Sequence, residues 1–361
     1  MKAVILVGGE GLRLRPLTCD MPKPMVPILD KPFMHHLVDL LARHGITEVI
    51  FASGYKWQIF QDYFGDGSRW NLTCRHVIEE HPMGTAGAVK GVENLLDETF
   101  LVFNGDILTD MDLTDLVKTH RRRRAACTIS LTEVEDPSIY GVVETGEDGK
   151  ILNFREKPPR NEITTRWINA GVYVLEPEVL KTVPTKEKYS FERQLFPSLL
   201  AEGAGMYAFP AEGAYWLDIG SPEKYLAAHH DVLSGKIHLL LEAAVENQPG
   251  ILRGEGVNVE EGALIVPPVY LGEGCRIKKG AVVGPLTTVG IGCLVEEEAR
   301  VEGAVLWPYT KVGAGSHLKD CIMGAGCNVG TSCSIEPMAV VQSMSAFPEG
   351  TRIPPWTKIE R

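Results

Sequence analysis

Residues 1–27 read MKAVILVGGEGLRLRPLTCDMPKPMVP. Residues 3–7 are a short apolar run, the pattern of a strand covered on both faces. Gly8, Gly9 and Gly11 follow at once. Without Cβ atoms they let backbone N–H groups crowd an anion, and they accept positive φ where a turn needs it. Arg13, Arg15 and Lys23 put positive charge beside that turn. The glycines alone read equally well as an ordinary tight strand-to-helix turn. No Gly-Lys-Ser/Thr follows them, so the Walker pattern is absent, and the dinucleotide fingerprint lacks its third glycine.

Working outward, Phe33, Leu37, Leu40 and Leu41 recur at helical spacing and Gly45 closes that helix. Residues 48–52 read as a strand, 57–64 as a helix, and 72–78, 100–103 and 126–132 as further strands. The alternation implies an α/β fold, a Rossmann-like, mostly parallel sheet with helices on both faces. In such sheets ligands bind beyond the carboxyl ends of the strands, and the glycine turn sits at one of these ends. Asn104-Gly105-Asp106 sits at another. An Asp there, entering a glycine-permitted turn, is well placed for Mg²⁺, though alone it would more often be a turn cap.

Several later stretches carry two readings. Residues 81–88 form a turn into a helix of small residues. They read either as a loop with Thr85 as N-cap or as a pocket where glycines let a flat base lie against backbone. Glu156 and Lys157 read as surface charges before a loop. Ser190-Phe191-Glu192 reads as simple helix capping. Ser221, Pro222 and Glu223 make a good helix start, which leaves Asp218 without a capping role.

The chain has 361 residues and 44% hydrophobic residues, the make-up of a globular protein of two or three domains. No apolar run approaches a membrane span, and the N-terminal run is too short for a signal peptide. A cytoplasmic location is expected. The net charge of −11 argues against general nucleic-acid binding. It leaves room for an anionic small substrate, because a few local cations dominate a closed pocket. The four arginines at 121–124 end a helix that starts after Asp112, where cations suit the dipole. The cysteines form no CxxC pair, so a zinc site is not expected.

From Val259 a six-residue period takes over. Val259, Ile265, Leu271, Ile277, Val283, Val289, Val295, Val301 and Trp307 are in phase. The phase then slips by one to Val312 and Leu318, and again to Met323, Val329, Ile335 and Val341. This is the signature of a left-handed parallel β-helix of hexapeptide repeats, with each aliphatic stacked on its equivalent in the next coil. Cys275, Cys293, Cys327 and Cys333 fall four residues after an in-phase aliphatic, a slot for small inward side chains. Cys275 and Cys293 are expected as packed thiols, one above the other. Residues 347–356, with three prolines, read as a terminal cap. The expected domains are 1–235, a connector at 236–256, and the β-helix at 257–361.

The string Leu6-x-Gly8-Gly9-x-Gly11-x-Arg13-Leu14-x-Pro16-Leu17-Thr18, then Lys23-Pro24, resembles the signature of the sugar-nucleotide pyrophosphorylases, the sugar-1-phosphate nucleotidyltransferases. The resemblance continues through Gly84-Thr85-Ala86-Gly87, Asn104-Gly105-Asp106, Tyr140-Gly141, Glu156-Lys157-Pro158, Asn169-Ala170-Gly171 and Trp216-Leu217-Asp218 into the hexapeptides, nearly the whole chain. It implies a nucleotide held by Leu6, Gly8, Gly9, Gly11, Gly84 and Thr85. It implies Arg13 on the β- and γ-phosphates and Lys23 between the α-phosphate and the incoming phosphate. Asp106 and Asp218 would hold Mg²⁺. Gly141, Glu156, Lys157 and Asn169 would hold the sugar phosphate.

The implied reaction joins a nucleoside triphosphate to a sugar 1-phosphate and releases pyrophosphate. The Gly-Thr-Ala-Gly form is similar to the guanylyltransferase branch, which implies GTP and mannose 1-phosphate as substrates and GDP-mannose as product. Position 81 departs from that form, with histidine where an acidic residue is expected before Pro82. Glucose-1-phosphate thymidylyl- or uridylyltransfer and a heptose phosphate substrate stay open, because one or two hydrogen bonds shift base choice by orders of magnitude. A silent regulatory homologue would lose the site's charges, yet Arg13, Lys23, Asp106 and Asp218 are all present. Similar β-helices serve as acyltransferase domains in bifunctional relatives. With His317 the only histidine in this one, the expected role is architecture or homo-oligomerisation. Neither nucleic acid nor membrane is an expected partner.

Overall fold

The structure, a computed structural model, describes residues 1–237, 239 and 245–361. Residues 238 and 240–244 of the expected connector lie outside the described residues. The chain packs as two compact units. One joins Met1–Gly9 to Leu37–Trp216, and the other joins Glu10–His36 to Leu217–Arg361.

The first unit is built on a nine-stranded sheet. Its strands are β1 (Lys2–Leu6), β2 (Glu48–Ser53), β3 (Thr73–Ile78), β4 (Phe100–Asn104), β5 (Cys127–Glu133), β6 (Gly141–Thr145), β7 (Ile151–Glu156), β8 (Trp167–Leu175) and β9 (Met206–Pro210). The block β4-β1-β2-β3 is wholly parallel, with Leu6 opposite Asn104 on one side and Ala52 on the other. Ala3, Val4 and Ile5 are fully buried, as a central strand requires. Beyond β4 the sheet turns antiparallel through β8, whose register shifts between Asn169 and Tyr173. The β6–β7 hairpin extends that edge.

The helices are α1 (Phe33–Arg43), α2 (Trp57–Phe64), α3 (Gly84–Gly91), α4 (Leu113–Arg123), α5 (Phe196–Ala201) and, in the second unit, α6 (Pro222–Leu233). α1 buries Phe33, Leu37, Leu40 and Leu41, the face its spacing predicts. α4 is capped by Asp112, which accepts from Asp115 N, and ends in its arginines. No helix among the described residues is long and apolar enough to cross a membrane.

The second unit contains the β-helix. Among the described residues, short strands stack into three sheets of eight, six and six strands, all parallel except Val245–Gln248, which pairs antiparallel with Ile251–Arg253. Inward aliphatics align between coils, for example Leu271 on Val289 and Ile277 on Val295. Two expectations are corrected. Val289 stacks on Leu306, not on Trp307, so the phase slips one repeat earlier than the sequence period suggests. Both residues are apolar, and it is Leu306 that fills the coil's core. Residues 347–356 are not a cap. Phe347 pairs with Val329 and Ile353 with Ile335, and the coil runs on to Ile359 over Val341. The prolines there occupy corners between the short strands.

The small slot is better counted as two residues before each inward aliphatic. That count keeps Cys275, Cys293, Cys327 and Cys333 and adds Cys321, all buried in the core. All eight cysteines are free thiols. Burial pushes the Cys275 and Cys293 thiols up to about 12, which keeps them protonated and inert.

Candidate active site

In the first unit the carboxyl ends of β1 and β4 lie side by side. The Gly105 N–H donates to the Leu6 carbonyl at 3.0 Å. A Cβ on Gly105 would meet that carbonyl oxygen at 2.5 Å, so only glycine brings Asp106 this close to the glycine turn. Gly8 faces Glu79, whose Oε2 would lie 3.5 Å from a Cβ there. Glu79 follows β3 directly and accepts the backbone N–H of Met83, and burial raises its pKa.

Gly84 opens α3 with φ 74°, and a Cβ there would be 2.7 Å from the Tyr189 carbonyl. That carbonyl accepts from the Ala86 and Gly87 amides at 3.0 and 2.9 Å, which closes this helix end. Thr85 is not an N-cap, since α3 has no side-chain cap. Its hydroxyl instead donates to Glu192 Oε2 at 3.0 Å and accepts from the Phe191 N–H at 2.9 Å. Ser190 does cap its turn, accepting from the Glu192 and Arg193 amides.

Glu192 leads to the remaining residues. It faces Glu156, whose pKa is raised first by burial and then by the Glu192 charge. Gly141 pairs with Glu156, and a Cβ there would meet Phe154 at 2.7 Å and Glu156 Oε2 at 3.0 Å. Lys157 Nζ is 3.7 Å from Glu156 Oε1. Asn169 accepts from the Gly171 N–H at 2.9 Å and donates to the Tyr173 hydroxyl at 2.8 Å. Gly171 in turn abuts Asn104, whose buried Oδ1 has no hydrogen-bond partner among the described residues. Contacts thus link Leu6, Gly8, Gly84, Thr85, Asp106, Gly141, Glu156, Lys157 and Asn169 within one unit, and Gly9 adjoins Gly8 with open space around it.

Gly11, Arg13, Lys23 and Asp218 gather in the second unit. Gly11 has φ 65°, and a Cβ on it would be 2.8 Å from Lys23 Cβ. Thr18 Oγ1 donates to the Gly11 carbonyl at 2.8 Å and holds the loop closed. Arg13 and Asp218 flank Gly220, each 3.0 Å from where its Cβ would be. Ser221 caps α6 by accepting from Lys224 N, with Pro222 behind it. Asp218 also accepts a short hydrogen bond from Lys224 Nζ.

Sequence reasoning missed Glu79, Glu192 and Lys224. Glu79 had a signal, an acidic residue directly after a strand of the parallel block. Lys224 had one too, since a cation in a helix's first turn opposes the dipole unless a carboxylate pairs with it.

A divalent cation is tested by the donors present. Among the described residues no three His, Cys, Asp or Glu side chains cluster. Asp106 and, among the described residues, the unpartnered amide oxygen of Asn104 in the first unit are hard oxygen donors, and Asp218 in the second unit is another. Each is the donor type that Mg²⁺ takes, an ion that keeps few protein ligands and fills its shell with phosphate oxygens and water.

The family model described as Nucleotidyl transferase matches residues 2–235, and one described as GMPPB C-terminal domain matches 265–353. A mannose-1-phosphate guanylyltransferase of Mycobacterium tuberculosis is 40% identical over 270 residues, 73% of each chain. A UTP–glucose-1-phosphate uridylyltransferase of Synechocystis is 36% identical over 343 residues, 91% of this chain and 88% of that one. The crystal structure of HddC from Yersinia pseudotuberculosis superposes with TM-score 0.55 at 32% identity, covering 63% of this chain and 97% of that one. With a glycine turn and an aspartate at adjoining strand ends, and a family model spanning the sheet, the chain belongs to the nucleotidyl transferase family.

Proposed function

We propose that the protein joins GTP to mannose 1-phosphate, forming GDP-mannose and pyrophosphate. The observation that carries the reading is the carboxylate of Glu79 beside the glycine turn and the start of α3. Guanine offers two adjacent donors, N1–H and the 2-amino group, which a carboxylate accepts together. Uracil and thymine offer one donor flanked by two acceptors, a poorer match. The 40% identity to a protein named mannose-1-phosphate guanylyltransferase supports the same choice.

In this reading a phosphate oxygen of the sugar phosphate attacks the α-phosphorus of the nucleotide, and the bond to the β-phosphate oxygen breaks as pyrophosphate leaves. No covalent protein intermediate is needed, so positioning and charge neutralisation supply the rate. Leu6, Gly8, Gly9, Gly11, Gly84 and Thr85 hold the nucleotide, chiefly through backbone. Arg13 stabilises the leaving pyrophosphate, and Lys23 offsets repulsion between the α-phosphate and the incoming phosphate. Glu156 and Asn169 accept and donate to sugar hydroxyls, with Gly141 leaving room and Lys157 meeting the sugar phosphate. Asp106 and Asp218 would hold Mg²⁺, which when bound would neutralise phosphate charge. The reading includes a cytoplasmic location and a homo-oligomer formed through the β-helix.

One observation favours a second reading: the uridylyltransferase relative aligns over more of the chain. Pyrophosphate release measured with each nucleoside triphosphate and with mannose, glucose and heptose 1-phosphates decides between them. The expected result is highest kcat/KM for GTP with mannose 1-phosphate. A preference for UTP or dTTP with glucose 1-phosphate would replace the first reading by the second.

A further inference from the structure

The loop carrying Lys23 ends at Pro27, whose carbonyl accepts from the Tyr225 hydroxyl at 2.5 Å and from His229 Nε2 at 3.2 Å. The two side chains are four residues apart on α6, on one face of the helix. Each is held in turn by the β-helix. Trp307 Nε1 donates to the Tyr225 hydroxyl at 2.8 Å, and Thr288 Oγ1 lies 3.0 Å from His229 Nδ1.

The directions of these bonds are fixed by chemistry. The Pro27 carbonyl only accepts, so the His229 proton sits on Nε2 and Nδ1 accepts from the Thr288 hydroxyl. Burial pushes His229 down to about 3, which leaves it neutral with a single ring proton. Tyr225 spends its one proton on Pro27 and receives that of the Trp307 indole. The four side chains are buried and each of these donors and acceptors is satisfied, so the arrangement admits little alternative.

Trp307 is also where the repeat loses its residue. With Leu306 turned inward, Trp307 is buried but absent from the coil's own core. Two later residues of the β-helix reach the same loop. Lys358 Nζ donates to the Arg13 carbonyl at 3.3 Å, and Gln342 Nε2 donates to Asp20 Oδ2 at 3.1 Å.

We propose that Trp307 and Thr288 are positioning residues for nucleotidyl transfer, acting through Tyr225 and His229 to fix the Pro27 carbonyl and with it the Lys23 ammonium. This rests on the role given to Lys23 above. It assigns the β-helix a part in the reaction of the first 235 residues, separate from any part in assembly.

The test uses the full chain with Trp307→Phe, Thr288→Val, Thr288→Ser and the double variant Trp307→Phe/Thr288→Val. Steady-state kcat and both KM values are measured per folded protein, with the folded fraction set by urea denaturation. A small misplacement of a reacting group costs up to about 100-fold in rate, so the double variant should lose about 10–100-fold in kcat with KM within about twofold. Thr288→Ser keeps the hydroxyl and should keep kcat, where Thr288→Val does not. Folded variants with wild-type kcat would overturn the proposal, as would a Ser variant no better than Val. Wild-type protein that releases no pyrophosphate with any substrate pair would remove the role of Lys23, and this proposal with it. Active wild type with unaffected variants would remove this proposal alone. Should the double variant not fold, the Ser–Val comparison at Thr288 still decides.

Discussion

Lys224 Nζ donates a hydrogen bond to Asp218, so the carboxylate assigned to the metal already holds a cation from its own chain. Removing that competitor should make Asp218 easier to load. Lys224→Met is expected to lower the Mg²⁺ concentration for half-maximal activity, and Asp218→Asn to raise it about tenfold or more. The pair is partly exposed, so the stability change in Lys224→Met should stay near 1 kcal/mol. Mg²⁺ titrations of activity, with urea melts of the same variants, check both.

Arg13→Ala and Lys23→Ala should each reduce kcat by about 10²–10⁵, the range for lost transition-state cations and donors. Gly220→Ala reaches the same site indirectly. Its new Cβ would lie 3.0 Å from both the Arg13 guanidinium and the Asp218 carboxylate, and each has a side-chain end able to move aside. Activity should fall about 10-fold or more while the fold persists. Single-turnover rates with saturating substrates separate these effects from binding, and a loss of tenfold or less in Arg13→Ala or Lys23→Ala would remove that assignment.

Glu79→Gln keeps the size of the side chain and exchanges one acceptor for a donor. Guanine should then lose about 10²-fold in kcat/KM against wild type, with UTP affected far less. Equal losses for all nucleotides would show that Glu79 supports the loop and does not read the base.

Gly105, at the end of β4, and Gly9, in the glycine turn, should separate fold from ligand. A Cβ on Gly105 meets the Leu6 backbone at 2.5 Å, whereas one on Gly9 meets nothing within 4 Å. Gly105→Ala should destabilise by about 1–3 kcal/mol. Gly9→Ala should leave stability within about 0.5 kcal/mol, so any loss of activity comes from the bound nucleotide. Denaturant midpoints and KM for the nucleotide test the contrast.

His229 gives the chain an acid-sensitive joint. Its ordinary pKa of 6.5 is depressed by burial to about 3 in the folded state. Below pH 6.5 the unfolded chain therefore takes up a proton that the folded one refuses. Stability from this residue is full above 6.5 and falls as pH drops towards 3, by about 1.4 kcal/mol per pH unit. His229→Gln, which keeps an N–H for Pro27, should flatten that slope in urea melts run from pH 7 to 4.

What the sequence made legible was local. Asp112 and Ser221 were readable as caps because a cap is defined by its next three residues. The six-residue period was readable because every coil repeats it. The misread positions were settled from far away. Leu306 and Trp307 are both apolar, and the indole N–H of Trp307 meets the Tyr225 hydroxyl, 82 residues distant. Of the two readings of Thr85, the cap is the one that fails, because its hydroxyl serves Phe191 and Glu192, more than a hundred residues on. The grouping of residues 10–36 with the β-helix left no local trace, since hydrogen bonds such as Gln342 to Asp20 join residues 322 apart.

The packing of Glu10–His36 with the coils bears on how the gene can be shortened. A fragment stopped at Gly235 would retain each side chain given a chemical task and the Tyr225 and His229 bonds to Pro27, yet it would lose what Thr288, Trp307, Gln342 and Lys358 add behind them. Loss of activity in such a truncation would therefore say nothing against the chemistry assigned to Arg13 and Lys23.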